Sequence, residues 1–294
     1  MTMKFPELTY ATPADPWLKR HTIQALERWA GRDYFVPLYE RWQAEHVAGT
    51  GPVIGPMLDL CDVEMRIVAG RLPEQLASDQ PLVIVANHPF GIVDGIAALA
   101  IAEALGRPFR VIINKDLMKV PEIRPYSLAV DFAETRAAQA DNIRMRNEAL
   151  RLLKAGTTIV VFPAGGVATA PSMYERAAEL PWKGFTARMI LAAKAQVLPV
   201  WFDGQCGPLF QLASRFSLTL RLGLIIRELR QRVGRPLDVR IGEVMPFAEI
   251  ASLVGSDRRA LMHLLFERVH ALSGEPVEDV RARMAALPGW LKQA

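Results

Sequence analysis

The chain has 294 residues, a formal net charge of +4 and 51% hydrophobic side chains, enough for one large domain with a small extension. No run of about twenty apolar residues escapes a charge, Pro or Gly, which argues against a spanning helix, and Met1 to Glu7 lacks the apolar core of a secretory signal. Two cysteines, Cys61 and Cys206, suggest neither a disulfide framework nor a zinc module, and they point to a reducing compartment.

In chain order, Asp15-Pro16-Trp17 predicts a helix start with Pro at the first position, followed by an amphipathic pattern over 18–30 that includes Ile23, Leu26 and Trp29. A second helix is expected over about 37–47, carrying Leu38, Tyr39, Trp42 and His46. Gly and Pro cluster over 49–56 as a hinge. Residues 1–55 are therefore expected to form a helical extension with a possible membrane contact, and 56–294 the main α/β domain with C-terminal helices.

Pro81-Leu82-Val83-Ile84-Val85-Ala86 is short, β-branched and uncharged, the composition of a buried strand, and 92–105 has helical composition. Between them lies Asn87-His88-Pro89-Phe90-Gly91-Ile92-Val93-Asp94-Gly95, which puts His88 at a strand end and Asp94 in the first turn of a helix, where the dipole favours a carboxylate. That is the place for a general base with its orienting carboxylate, although a polar turn followed by a capped helix has the same spacing. The other histidines, His21, His46, His263 and His270, have no glycine-rich surround.

Two further strands are expected at 157–162, followed at once by Pro163-Ala164-Gly165-Gly166-Val167, and at 195–202, followed by Asp203-Gly204-Gln205. Strands that end in Pro/Gly turns and alternate with helices predict an α/β fold with one composite cleft: a central mixed, largely parallel sheet flanked by helices, with the N-terminal helical pair. From Ser214 to Arg240, seven arginines stand against two acids, interleaved with Phe216, Leu218, Leu220, Leu222, Leu224, Ile225, Ile226 and Leu229. Such a segment suits an anionic lipid interface, or a core helix with a solvated basic face. The stretches 258–269 and 278–287 read as covering helices.

Together the blocks resemble the glycerolipid acyltransferase superfamily, and most closely its bacterial putative hemolysin or lyso-ornithine lipid acyltransferase subgroup. Asn87 through Gly95 is similar to that subgroup's first block, with five residues between His88 and Asp94 where the superfamily at large has four. Phe162-Pro163-Ala164-Gly165-Gly166-Val167 resembles the block that reads Phe-Pro-Glu-Gly-Thr-Arg in most relatives, Trp182-Lys183-Gly184-Phe185 resembles the segment that follows it, and Leu198-Pro199-Val200 the last block. The likeness extends over roughly residues 60–250.

The resemblance implies O-acyl transfer from an acyl thioester, acyl-CoA or acyl carrier protein, to the hydroxyl of a lysolipid at an anionic membrane surface, on the cytoplasmic inner face. His88 would be the base and Asp94 its partner. Asn87 and Gly91 would shape the first turn, Pro163, Gly165 and Gly166 the oxyanion or acceptor turn, and Arg136 and Lys183 would meet the carrier phosphate or the lipid head. Ala164 stands where relatives carry Glu, and Gly166-Val167 where they carry Thr-Arg. Those residues are associated with glycerol phosphate in the relatives, so their absence favours another acceptor such as a lyso-aminolipid.

Histidine, with an ordinary pKa of roughly 6.5, suits removal of a hydroxyl proton near neutral pH. A covalent acyl-enzyme is not needed, and the chain has no Gly-x-Ser-x-Gly elbow. No metal or redox cofactor is expected: His88, Asp94 and Asp203 lack the spacing of a metal set. No nucleic-acid partner is expected either, because the arginines carry no recognition motif. Binding of acyl lipid without turnover, or acyl hydrolysis to water, remain the alternative activities.

Overall fold

The computed structural model describes residues 5–12, 14–74, 76, 80–133, 135–172, 175–216 and 218–289. Met1 to Lys4, Ser217 and the side chain of Leu218, each within a stretch singled out above, lie outside the described residues.

The chain opens with helices α1 (Trp17–Trp29), α2 (Arg32–Trp42) and α3 (Gly55–Leu60), then β1 (Met65–Ala69), β2 (Leu82–Ala86), α4 (Ile92–Ala104), β3 (Phe109–Asn114), β4 (Ser127–Val130), α5 (Arg136–Lys154), β5 (Thr158–Val161), α6 (Phe185–Ala193) and β6 (Gln196–Phe202). It closes with α7 (Pro208–Phe216), α8 (Leu218–Arg232), β7 (Leu237–Ile241), α9 (Phe247–Val254), α10 (Arg258–Ala271) and α11 (Val277–Ala286). The seven strands form one sheet in the order β1-β7-β6-β2-β5-β3-β4, parallel at every pairing except β6 with β7. This is the mixed, largely parallel sheet the sequence predicts. Two helices, α7 and α8, separate β6 from β7 instead of one, so the chain re-enters the sheet from the opposite end and β7 runs antiparallel.

The central strands explain the two-sided core. Along β2, Leu82, Ile84 and Ala86 face a cluster with Ile101 of α4, Phe210 of α7 and Ile225 of α8. Val83 and Val85 face the opposite cluster with Leu153 of α5, Ile190 of α6 and Leu265 of α10. A strand buried on both faces has no polar side to alternate with, which is why β2, and β5 after Thr158, read as continuous apolar runs.

The chain leaves β2 through α4 towards β3 and β4 on one side, and returns after β5 through α6 to β6 on the other. The carboxyl ends of β5, β2 and β6 thus lie side by side where the strand order reverses, the place at which a crevice is expected in a sheet of this topology.

One expectation is corrected. The second helix begins at Arg32, not near residue 37, and Pro37 lies inside it. Burial of Arg32, Tyr39 and Trp42 holds this helix together through the proline, and it continues as a π turn over Gln43–Val47. The basic stretch 214–240 comprises the end of α7, all of α8 and β7 up to its last residue. Leu224, Ile225 and Ile226 are core, whereas Phe216, Leu220 and Leu222 are exposed. The glycine-rich stretch 49–56 is tied down, because the Glu103 carboxylate of α4 accepts from the N–H groups of Val53, Ile54 and Gly55 at 2.7–3.1 Å.

Candidate active site

Strand β2 ends at Ala86, and the next residue clamps the crevice. Asn87 Nδ2 donates to the Phe202 carbonyl at 2.9 Å while the Phe202 N–H donates to Asn87 Oδ1 at 2.7 Å, so one buried side chain locks the ends of β2 and β6 together. His88 follows, with its Nδ1 3.2 Å from Asp94 Oδ2.

Asp94 lies in the first turn of α4 and is fully buried. Its Oδ2 also accepts the Phe90 N–H at 3.0 Å and its Oδ1 the Gly95 N–H at 3.0 Å. These bonds fix the carboxylate, and an Nδ1–H donating to Asp94 leaves Nε2 as the basic nitrogen. Nε2 has no protein partner among the described residues, and the His88 side chain keeps 17% of its surface exposed. The ring is therefore reachable rather than sealed in the core. It stacks on Phe162 at a centroid distance of 4.2 Å.

Gly91 makes this turn possible. Its φ is +91°, and a Cβ there would lie 2.7 Å from Ile225 Cδ1 and 2.9 Å from Val167 Cγ2. Only glycine permits both the left-handed backbone and the close approach of α8.

The second turn comes off β5. Pro163 is buried and its carbonyl accepts the Lys183 N–H at 2.9 Å, Gly165 at φ +71° donates to the Phe162 carbonyl at 2.9 Å, and the Ala168 N–H donates to the His88 carbonyl at 2.8 Å. The turn is thus stitched to the first one. Among the described residues, the main-chain N–H groups of Gly166 and Val167 have no acceptor. Ala164 is buried in a small apolar cluster with Ala178, Leu180 and Leu287, and Val167 packs into the main core. Neither side chain offers a polar group to the crevice.

Lys183 lies beside this turn. Its Nζ sits 4.6 Å from the centroid of the Phe132 ring and 3.4 Å from where a Gly165 Cβ would be. Partial desolvation holds its pKa below the usual lysine range, although the side chain as a whole is exposed. Arg136 opens α5 behind the N-cap Thr135 and is exposed, and no contact with the His88 turn is described for it. The structure therefore brings His88, Asp94, Asn87, Gly91, Pro163, Gly165, Gly166 and Lys183 together and leaves Arg136 at the margin. Asp203 is occupied elsewhere, accepting from Arg240 Nε and Trp201 Nε1, both at 2.8 Å. Burial raises the thiol pKa of Cys206 well above its ordinary value and that of Cys61 to about 11, which leaves both thiols protonated.

Two charged residues at the site had no motif to announce them. Arg221 of α8 is buried and donates through Nη2 to the Val167 carbonyl at 2.5 Å and through Nη1 to Thr169 Oγ1 at 2.9 Å, and burial brings its pKa down to about 10. Glu179 is 2% exposed, and its Oε1 accepts the His88 N–H at 2.9 Å. A lone acid in Ala177-Ala178-Glu179-Leu180-Pro181 is the one signal the sequence carries for it.

The solved structure of a 1-acyl-sn-glycerophosphate (LPA) acyltransferase, PlsC, from Thermotoga maritima is similar with a TM-score of 0.49 at 16% identity, over 88% of this chain and 98% of that one. No curated protein matches the chain. Among protein families, the model described as acyltransferase matches residues 69–268, from the last residue of β1 into α10. That span holds both turns and every charged group described around them, and the chain belongs to the acyltransferase family.

Proposed function

We propose that this acyltransferase moves a fatty acyl group from an acyl thioester, acyl-CoA or acyl carrier protein, to the hydroxyl of a lysolipid. The observation that carries the reading is the buried Asp94 carboxylate on His88 Nδ1, which presents Nε2 at the carboxyl end of the central strand. Nε2 takes the acceptor's hydroxyl proton as the oxygen attacks the thioester carbon. The developing oxyanion is met by the free N–H groups of Gly166 and Val167, and collapse of the tetrahedral intermediate breaks the C–S bond. The imidazolium, stabilised by Asp94, returns its proton to the thiolate. The acceptor's oxygen takes the place a serine holds in a hydrolase, so no acyl-enzyme intervenes.

The acceptor we favour is a lyso-aminolipid such as lyso-ornithine lipid. Burial of Ala164 among apolar side chains and of Val167 in the core supports this, because the turn presents neither a carboxylate nor a guanidinium of its own to a glycerol phosphate. Lys183, with Arg136 further out, supplies positive charge for the phosphate of the carrier.

Working at the inner face of the cell membrane fits the α1–α8 side of the molecule. Trp17, Leu18, Trp29 and Phe216 are all more than 60% exposed there, and Arg227 and Arg230 lie over the Trp29 and Tyr34 rings. Aromatic and basic side chains together suit a headgroup interface. Among the described residues no helix is long and apolar enough to cross a membrane.

The test is transfer from a labelled long-chain thioester to a panel of lysolipids, with wild type beside His88→Ala and Asp94→Asn. Loss of a general base and of its orienting carboxylate each lowers kcat by about 10²–10⁴-fold. Folded variants that retain full transfer would end the His88 mechanism. Binding of acyl lipid with no turnover in wild type would favour a carrier, and release of free acid without ester a hydrolase.

A further inference from the structure

Behind the His88 turn lies a buried polar cluster that the reaction just described does not use. Glu179 sits on the connection between β5 and α6, 91 residues from His88 in sequence, and its two carboxylate oxygens have different duties. Oε1 accepts the main-chain N–H of His88 at 2.9 Å, and Oε2 accepts Trp182 Nε1–H at 2.9 Å. His270 Nε2 of α10 lies 3.3 Å from the same Oε2, on a ring 1% exposed that packs against Phe266 and Trp201 at centroid distances of 4.0 and 5.1 Å.

An acid this deeply buried is costly to keep unless every acceptor site it offers is used. Here it is spent on the backbone of the one residue whose ring must stay on Asp94 and over Phe162. The His88 carbonyl is held from the other side by the Ala168 N–H at 2.8 Å. Both peptide groups of His88 are therefore pinned by segments from after β5, and its ring by α4.

We infer that Glu179 is a positioning residue for acyl transfer: its buried carboxylate, anchored by Trp182, holds the His88 main chain so that the imidazole stays aligned between Asp94 and the acceptor hydroxyl. This rests on the acyltransferase reading above. Glu179 touches no substrate, so its loss is felt in kcat and not in KM.

The chemistry of the pair of acceptors gives a specific test. A carboxylate satisfies both His88 N–H and Trp182 N–H, whereas an amide has one oxygen and must turn its NH2 towards one of the two donors. In Glu179→Gln, kcat falls about tenfold or more while KM for donor and acceptor stays within about twofold. Adding Trp182→Phe removes the competing donor, frees the amide oxygen for His88, and recovers most of the lost kcat. A residue needed only for packing loses more, not less, on the second substitution. If Glu179→Gln does not fold, Glu179→Asp decides: retracted by one methylene, it loses the His88 bond and lowers kcat at constant KM, and a wild-type kcat overturns the inference.

Full kcat in Glu179→Gln, or no recovery in the double variant, likewise overturns it while wild-type turnover keeps the acyltransferase reading intact. Should wild type transfer to no lysolipid, that reading fails, and imidazole nitrogen NMR decides this one separately. A His88 ring that becomes averaged between tautomers in Glu179→Gln supports it, and an unchanged His88 pattern overturns it.

Discussion

Asn87 and Phe202 exchange two hydrogen bonds, side chain to main chain, across the ends of β2 and β6. Asn87→Ala leaves a buried N–H and a buried carbonyl without partners, a cost of about 2–4 kcal/mol. We expect a lowered urea midpoint at unchanged m-value and a matching fall in activity, because His88 is the next residue along. A midpoint equal to wild type would mean that β2 and β6 are held without this clamp.

Gly91→Ala is expected to destabilise by about 1–3 kcal/mol, since its methyl would lie 2.7 Å from Ile225 Cδ1 and 2.9 Å from Val167 Cγ2 at a φ of +91°. Trimming the nearer neighbour with Ile225→Val should return part of that loss and leave the backbone strain behind. Thermal unfolding of the two single variants and the double variant measures the coupling.

Glu27 of α1 is buried, accepts from Thr9 Oγ1 at 2.5 Å and from the Tyr10 N–H at 2.7 Å, and has a pKa raised by desolvation. Its folded form holds the proton to a higher pH than the unfolded chain does, so stability is lost as pH rises from about 4.5 through the raised value. Glu27→Gln keeps an oxygen for Tyr10 and an NH2 for the Thr9 oxygen and carries no charge. It should therefore match wild type near pH 4 and exceed it at pH 7 to 8. Unfolding curves at the two pH values check this, and a constant difference between the proteins would contradict it.

Lys183→Met is expected to raise KM for an acyl-CoA donor several-fold with kcat little changed. The cation–ring contact with Phe132 contributes only about 0.5–1 kcal/mol at an exposed site, so the melting temperature should move by no more than a few degrees. Equal KM values for the two proteins would remove Lys183 from donor binding.

The three central strands were legible because each is buried on both faces: β2 is an uninterrupted apolar run, and β5, which starts at Thr158, and β6 are nearly so. His88 and Asp94 were legible because they sit on consecutive elements, six residues apart, with Gly91, which has a strict backbone need, between them. Strands away from the centre were harder. The edge strand β1 is exposed along four of its five residues, and β3 and β7, each next to an edge, are buried only at alternate positions. The second helix was misplaced because packing of Tyr39 and Trp42 outweighs the local cost of Pro37. Glu179 and Arg221 act on His88 and Val167 from 91 and 54 residues away, and no local spacing encodes such a meeting.

Helix α8 meets the crevice twice. Ile225 closes on Gly91 with no room for a methyl, and Arg221, one turn earlier, grips the Val167 carbonyl, while Gly223 lies flush against Leu26 of α1. Packing this close transmits displacement instead of absorbing it. The His88 and Gly165 turns and the N-terminal helix therefore share a single rigid axle: whatever shifts α1 by more than a fraction of an ångström must re-aim these turns or break contact with them.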